Sequence, residues 1–462
     1  MLDMIIIFEQ IQYLYLFYLL VTNLSTMTLM WIAFKRMLVT YFYNIDVTFY
    51  SLIKHEIFIP ISILAPAYNE QETIISSVYS LLKLNFPEYQ IIIINDGSND
   101  ETLKRLLSHF DLYEVAITND LILEHQKIRA LYRSPKYDNL FIIDKENGGK
   151  SDALNAAINL SKYPLICCVD ADTILEETAI LHGLTKFIQD RRTIAIGGAI
   201  GITNGSVIKD HTLVEKKVPN SLVEGFQVLE YLRGFFAGRM GWEKHNGLIL
   251  VSGAFGIFRK DIIMKIGGYR HTIGEDFDLL LRMRKYCYNN HIRHTVGFVE
   301  EILCWTQCPS DYGSLLKQRN RWQRGLLETL YYHKDMLFRR KYGVVGMVTM
   351  PYFLLIEALG PIMTFMGVIS IIVLYTFGVI SSSMIVIFFL LEFVWGILLN
   401  VSSLYFEILT KRSYTKSTSF IKLFLLSIIE PFFYKPLLKA ELFLATFNFM
   451  NSSWGEIKRK SL

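Results

Sequence analysis

At 462 residues, 52% of them hydrophobic and only 19% charged, the chain is too long and too oily for one ordinary soluble domain. A formal net charge of +4 is too small to argue for a nucleic-acid partner, so none is expected. Five cysteines, Cys167, Cys168, Cys287, Cys304 and Cys308, form no disulfide-like framework and fit a reduced, cytosol-facing domain.

Residues 11–34 are an apolar run of bilayer-spanning length, with Asp3 and Glu9 before it and Lys35 and Arg36 directly after it. The basic flank of a membrane helix faces the cytosol, so the polar middle of the chain is expected there. Residues 61–65 then read as a short strand, residues 72–84 as a helix, and Ile91-Ile92-Ile93-Ile94 as a strand buried on both faces. Another helix starts near Glu101, and further strands are expected at residues 128–132, 140–143 and 165–169. Strands alternating with helices imply a mostly parallel sheet wound with helices. Such sheets bind ligands beyond the carboxyl ends of their strands, where Tyr68-Asn69-Glu70, Asp96-Gly97-Ser98 and Asp170-Ala171-Asp172 fall.

Each of these motifs has a plain reading beside a chemical one. Asp96-Gly97 is either a simple turn or a carboxylate placed for a base or ribose. Asn147-Gly148-Gly149-Lys150 opens a helix; Lys150 is either solvated or aimed at a diphosphate. Asp170 and Asp172 flank one small residue and together suit Mg²⁺ or Mn²⁺, hard cations that take oxygen ligands and bridge phosphates. Gly274-Glu275-Asp276 begins a helix that runs through Arg284; Asp276 is either a dipole-favoured acid or the general base. Gln318, Arg321 and Trp322 lie on a helix expected over residues 312–333, with Arg324 extending its positive face. That helix either rests on the bilayer or offers a flat ring to a sugar and a cation to a phosphate, and both can hold.

Residues 350–377 and 384–409 each have spanning length, joined by Ser381-Ser382-Ser383, and Lys411, Arg412, Lys416 and Lys422 return the chain to the cytosolic side. Residues 420–450 carry Glu430-Pro431 and Lys435-Pro436; a full crossing would put Lys458, Arg459 and Lys460 outside. A re-entrant or interface-lying helix pair avoids that conflict. Glu357 and Glu430 are candidates for a polar lining, whereas Glu407 reads as a helix-end residue reaching headgroups. The chain is thus divided at residues 1–50, 51–340 and 341–462: a membrane helix with its linker, a cytosolic domain, and a membrane region.

Taken jointly, the motifs resemble the membrane-bound, processive type of glycosyltransferase family 2, whose members include cellulose, hyaluronan and poly-N-acetylglucosamine synthases. The resemblance covers roughly residues 61–330 by motif. It implies an α/β domain with the GT-A fold, Rossmann-like and nucleotide-sugar-binding, flanked by transmembrane helices. It also implies a UDP-sugar donor, a saccharide acceptor and inversion by single displacement. Ala67, Tyr68, Glu70 and Asp96 are implied to hold the nucleoside, Lys150 the diphosphate, and Asp170 and Asp172 the metal and donor sugar; Asp276 is implied to be the base. Gln318, Arg321 and Trp322 match the family's QxxRW signature, implied to hold the acceptor end and the diphosphate, and Ser252-Gly253-Ala254-Phe255-Gly256 matches its segment near the donor–acceptor junction. Asn95 departs from the family's first aspartate, and Glu275 stands where some synthases have aspartate. Few membrane helices imply that a partner subunit or an oligomer completes an export path. The expected location is a bacterial plasma membrane, crossed several times, with the catalytic domain in the cytosol. One rival is a non-processive transferase to a lipid-linked acceptor. Another is a transporter or receptor with a degenerate sugar-binding domain.

Overall fold

The computed structural model describes residues 2–43, 58–117, 121–209, 211–409, 414 and 417–448. These fall into two compact units, one within Thr40–Lys217 and Leu248–Cys308, the other within Met1–Val39, Val218–Gly247 and Pro309–Lys458.

In the first unit the apolar runs become β1 (Ile61–Ala67), β2 (Tyr89–Asp96), β3 (Tyr113–Val115), β4 (Ile128–Arg133), β5 (Leu140–Lys145) and β6 (Leu165–Cys168). The four isoleucines of β2 are all buried, as a strand covered on both faces requires. β1 pairs parallel with β2 and β6, and β2 pairs parallel with β5, so four carboxyl ends meet along one edge. Helices Ile74–Leu82, Thr102–His109 and Lys150–Leu160 provide the crossovers that parallel neighbours need.

The chain then adds β7 (Ile174–Leu175), β8 (Thr193–Ile202), the separate antiparallel pair β9 (Val207–Lys209) and β10 (Thr212–Glu215), β11 (Gly256–Arg259) and β12 (Thr295–Thr306). The large sheet has ten strands in the order β3-β4-β5-β2-β1-β6-β11-β8-β12-β7. It is mixed rather than mostly parallel, which corrects the expectation. β11 lies antiparallel between β6 and β8, and the outer pairs β3–β4, β4–β5 and β7–β12 are antiparallel too. An antiparallel strand needs no helical crossover, and β11 is entered through a tight turn closed by Phe255 N–H on Ser252 C=O. This mixed α/β sheet is GT-A-like, as the resemblance implies.

The second unit is helical. Helix Leu2–Tyr43 is about 63 Å long at 1.5 Å per residue, well beyond the apolar run at 11–34. Its charged end continues as helix while Arg36 pairs with Glu243. Among the described residues, Asp3–Val39 and Ser382–Leu409 are long and apolar enough to cross a membrane, or three spans if a bent pair counts as one. The bent pair replaces the single run expected at 350–377: Val345–Ala358 and Gly360–Thr376 meet at 45°. Pro361 lies in the first turn of the second half, and Gln323 Nε2 donates to the buried Ala358 carbonyl at the bend at 2.9 Å.

The helix pair expected at 420–450 is instead one helix, Ser417–Phe447, with Pro431 and Pro436 inside it. Pro431 has no N–H for the Ser427 carbonyl four residues back, and Asn400 Nδ2 donates to that carbonyl at 3.2 Å instead. Glu430 is fully buried and ion-paired with Arg233 at 3.3 Å and Lys435 at 3.7 Å. Glu407 is buried and accepts Tyr414 N–H, rather than reaching outward. The orientation signals Lys411, Arg412, Lys416, Lys458, Arg459 and Lys460 lie outside the described residues. All five cysteines are free and buried.

Candidate active site

The edge formed by the carboxyl ends of β1, β2, β5 and β6 carries two polar clusters. At the first, Asp96 closes β2 and faces Lys145, the last residue of β5. Lys145 is 0% exposed, and its ammonium donates to Asp96 Oδ1 at 2.6 Å and to the Glu146 carbonyl, and pairs with Asp152 at 2.5 Å. Two hydrogen bonds and a second carboxylate thus surround the buried charge. Gly148 N–H and Gly149 N–H donate to the two oxygens of Asp96 at 3.1 and 2.7 Å, and Asn147 Nδ2 donates to its carbonyl at 2.8 Å. The anion gripped by the glycine loop is therefore the chain's own carboxylate. Gly149 has φ +85°, which a side chain would oppose.

Beside this, the loops after β1 and β2 are laced together. Asn69 N–H donates to Ser98 Oγ at 3.0 Å, Asn99 N–H to Asn69 Oδ1 at 2.9 Å, and Glu70 N–H to Thr102 Oγ1 at 2.9 Å. Tyr68 is left exposed, Glu70 is half-buried, and Ala67 is buried at the strand end. Asn95 donates to Asp144 Oδ1 at 2.7 Å. An aspartate at this position would set two buried carboxylates against each other.

The second cluster centres on Lys150, at the start of helix Lys150–Leu160. Its ammonium lies 2.8 Å from Asp170 and 3.4 Å from Glu275. Burial works against its charge, but Asp170, Glu275 and Asp276 outweigh that and hold its pKa above the usual lysine range. Asp276, in the first turn of helix Glu275–Asn289, accepts Gly253 N–H at 2.6 Å. Gly253 is wedged in place: a Cβ there would stand 2.5 Å from Lys150 Nζ and 2.8 Å from Asp276 Oδ2. Gly253→Ala is expected to lower turnover about 100-fold by displacing both groups, a shift of roughly 1 Å being enough, and single-turnover kinetics check it.

Asp170 and Asp172 are not presented alike. The Asp170 side chain is a third exposed, while Asp172 is 4% exposed. Asn155 braces the other side of the helix, accepting Tyr269 N–H at 2.7 Å and donating to the Tyr269 carbonyl at 3.0 Å. Burial pushes the neighbouring Cys168 thiol up to about 12, so no thiolate takes part here.

Lys150, Asp170 and Asp276 are thus brought together. Sequence reasoning missed Lys145, which reads as an ordinary strand-end lysine; its alignment with Asp96 across neighbouring strands was the available signal. It also missed the Asn155–Tyr269 clamp, which joins residues 114 apart. Gln318, Arg321 and Trp322 belong to the second unit, on helix Tyr312–Tyr332. Asp311 caps that helix by accepting Ser314 N–H at 2.9 Å. Trp322 is 44% exposed and Arg321 half-buried, but Arg324 is buried and does not extend a positive face.

A mixed sheet with carboxylates gathered at its carboxyl edge suits the binding of a nucleotide ligand there. The family models agree: glycosyl transferase family 2 matches residues 62–267, and glycosyl transferase family group 2 matches residues 165–400. The chain belongs to glycosyl transferase family group 2, and is an inverting, nucleotide-sugar-dependent glycosyltransferase. It is 28% identical to the poly-beta-1,6-N-acetyl-D-glucosamine synthases of Staphylococcus epidermidis and Staphylococcus aureus (strain COL), over 271 residues that make up 58% of this chain and 55% of each relative. The match therefore spans about half the length of those relatives. Among solved structures, the mannosyltransferase PcManGT from Pyrobaculum calidifontis, in complex with GDP-Man and Mn²⁺, aligns with a TM-score of 0.49 at 12% identity, covering 88% of this chain and 99% of that one. S. aureus TarS 1-349 in complex with UDP-GlcNAc aligns with a TM-score of 0.36 at 15% identity, covering 60% of this chain and 70% of that one.

Proposed function

We propose that this chain transfers a hexose or N-acetylhexosamine from a UDP-sugar to a growing polysaccharide at a membrane, with N-acetylglucosamine as the first sugar to try. The relatives' names support the sugar class, and the two spanning-length helices support the membrane. The observation that carries the chemistry is the Lys150–Asp170–Glu275–Asp276 cluster with Gly253 N–H on Asp276. Asp276 is the general base: it takes the acceptor hydroxyl's proton as that oxygen attacks the anomeric carbon and UDP leaves from the opposite face. Gly253 N–H fixes which way its carboxylate points. Lys150 meets the diphosphate, and Ala67, Tyr68, Glu70 and Asp96 form the nucleoside side, Asp96 through the loop it holds. Gln318 and Trp322 serve the acceptor end, and Arg321 the diphosphate.

One ammonium faces three carboxylates in this cluster, a balance that repels a bare diphosphate. Asp170 and Asp172 offer the hard oxygen donors that Mg²⁺ or Mn²⁺ prefers. Among the described residues no three His, Cys, Asp or Glu side chains converge as a metal-binding group. Mg²⁺ is usually held by one or two carboxylates together with substrate phosphates. Such an ion would stabilise the leaving diphosphate. Chelation with EDTA is expected to abolish UDP release, and Mg²⁺ or Mn²⁺ to restore it.

The first test is UDP release by the full chain in detergent against a panel of UDP-sugars, followed by product length. A polymer from one sugar supports the synthase reading. Single-sugar lipid products would instead favour the non-processive transferase. The placement of the catalytic unit in the cytosol of a bacterial cell, and an export partner or oligomer, belong to the same proposal.

A further inference from the structure

The signature on helix Tyr312–Tyr332 assigns work to Gln318, Arg321 and Trp322 and leaves Arg319 without any. Yet Arg319 is buried and held by a side-chain network that reaches two other helices. It is 3% exposed, and all its partners lie in the same unit. One guanidinium nitrogen donates to Gln318 Oε1 at 2.5 Å, and another pairs with Glu230 Oε2 at 2.7 Å. The guanidinium carbon stands 4.1 Å from the centre of the Trp322 ring. Glu230 comes from helix Leu222–Leu232 and also accepts the Tyr434 hydroxyl at 2.6 Å. Tyr434 is fully buried on helix Ser417–Phe447.

We infer that Arg319 is a positioning residue, held by Glu230 and Tyr434, that fixes the Trp322 ring and the Gln318 amide for the acceptor saccharide. This rests on the reading of Gln318 and Trp322 as the acceptor end. The chemistry is specific. A guanidinium can only donate, so Gln318 must turn its carbonyl oxygen to Arg319 and its NH₂ away from it. The acceptor therefore meets a hydrogen-bond donor at Gln318. Trp322 is half-exposed, and a cation behind one face leaves its other face to stack on a sugar. A lysine in place of Arg319 keeps the charge for Glu230 but loses the flat fork that reaches Gln318 and the ring together.

The test uses the full chain in detergent with UDP-GlcNAc, Mg²⁺ and a short β-1,6-linked N-acetylglucosamine oligomer as acceptor probe. Acceptor KM and kcat, acceptor-independent UDP release and tryptophan emission are read together. Arg319→Lys is expected to raise the acceptor KM about 10-fold, the loss of one ring contact and one charge-assisted bond, with UDP release into water changed less than about 2-fold. Tyr434→Phe removes a single hydroxyl and guards against a misfolded Arg319 variant; it is expected to move acceptor KM and Trp322 emission in the same direction, less far. Gln318→Glu keeps the oxygen for Arg319 and loses the NH₂, so it too raises acceptor KM. Equal losses of acceptor-dependent and acceptor-independent release in Arg319→Lys and Tyr434→Phe would make the role merely structural and overturn the inference. If Trp322→Ala raises acceptor KM while the Arg319 and Tyr434 variants do not, positioning alone is overturned. If Trp322→Ala and Gln318→Ala also leave it unchanged, the acceptor reading of the signature falls, and Arg319's role with it.

Discussion

Asp276→Asn is expected to lower kcat for sugar transfer by about 10²–10⁴-fold, the usual range for loss of a positioned general base, while leaving donor affinity nearly unchanged. The substitution is well suited to the geometry. An asparagine oxygen can still accept Gly253 N–H, which Asp276 Oδ2 accepts at 2.6 Å, so the local fold persists. What disappears is the capacity to take a proton. UDP release under saturating donor and acceptor measures the first effect, and competition by UDP measures the second. A variant that keeps wild-type turnover would remove Asp276 from the chemistry and send the search for a base to Glu275, which is buried and lies 3.4 Å from Lys150.

Lys145→Met is the other large effect. Removing the ammonium leaves Asp96 and Asp152 without their shared counter-charge, and breaking a buried pair in this way costs about 3–5 kcal/mol. A lower thermal midpoint for the full chain in detergent is expected, with faster hydrogen exchange at the Gly148 and Gly149 amides. Neutralising the carboxylates as well, with Asp96→Asn and Asp152→Asn beside Lys145→Met, should recover part of the midpoint. An unchanged midpoint in the single variant would mean that water, not Lys145, satisfies these carboxylates.

Much of the sheet was legible because its signals are local. Four isoleucines in a row make a strand in almost any context, and Asp96 at the end of that run marks a carboxyl edge. The position of β11 was not legible. Gly256–Arg259 is four residues long, and its antiparallel place between β6 and β8 is set by which neighbour it finds, not by its own pattern. Proline misled for a related reason. Pro431 reads as a break, but the donor that repairs the helix, Asn400, is 31 residues away in sequence. In the candidate site, the carboxylates were visible as motifs, whereas Lys145 was not, because burial is a property of the sheet that surrounds it. Arg319 was hidden in plain view between two signature residues, since its partners Glu230 and Tyr434 come from distant helices.

The glycine loop at Gly148 and Gly149 has a thermodynamic consequence. Its amides already hold the Asp96 carboxylate before any donor arrives. The loop is thus shaped in the free protein, and donor binding has little backbone to order there. Calorimetry of UDP binding should therefore show a heat-capacity change no larger than burial of the nucleotide itself requires, without the added entropy loss of a loop that folds around its ligand. Asp96→Ala would release the loop, and the entropic penalty on binding should then appear.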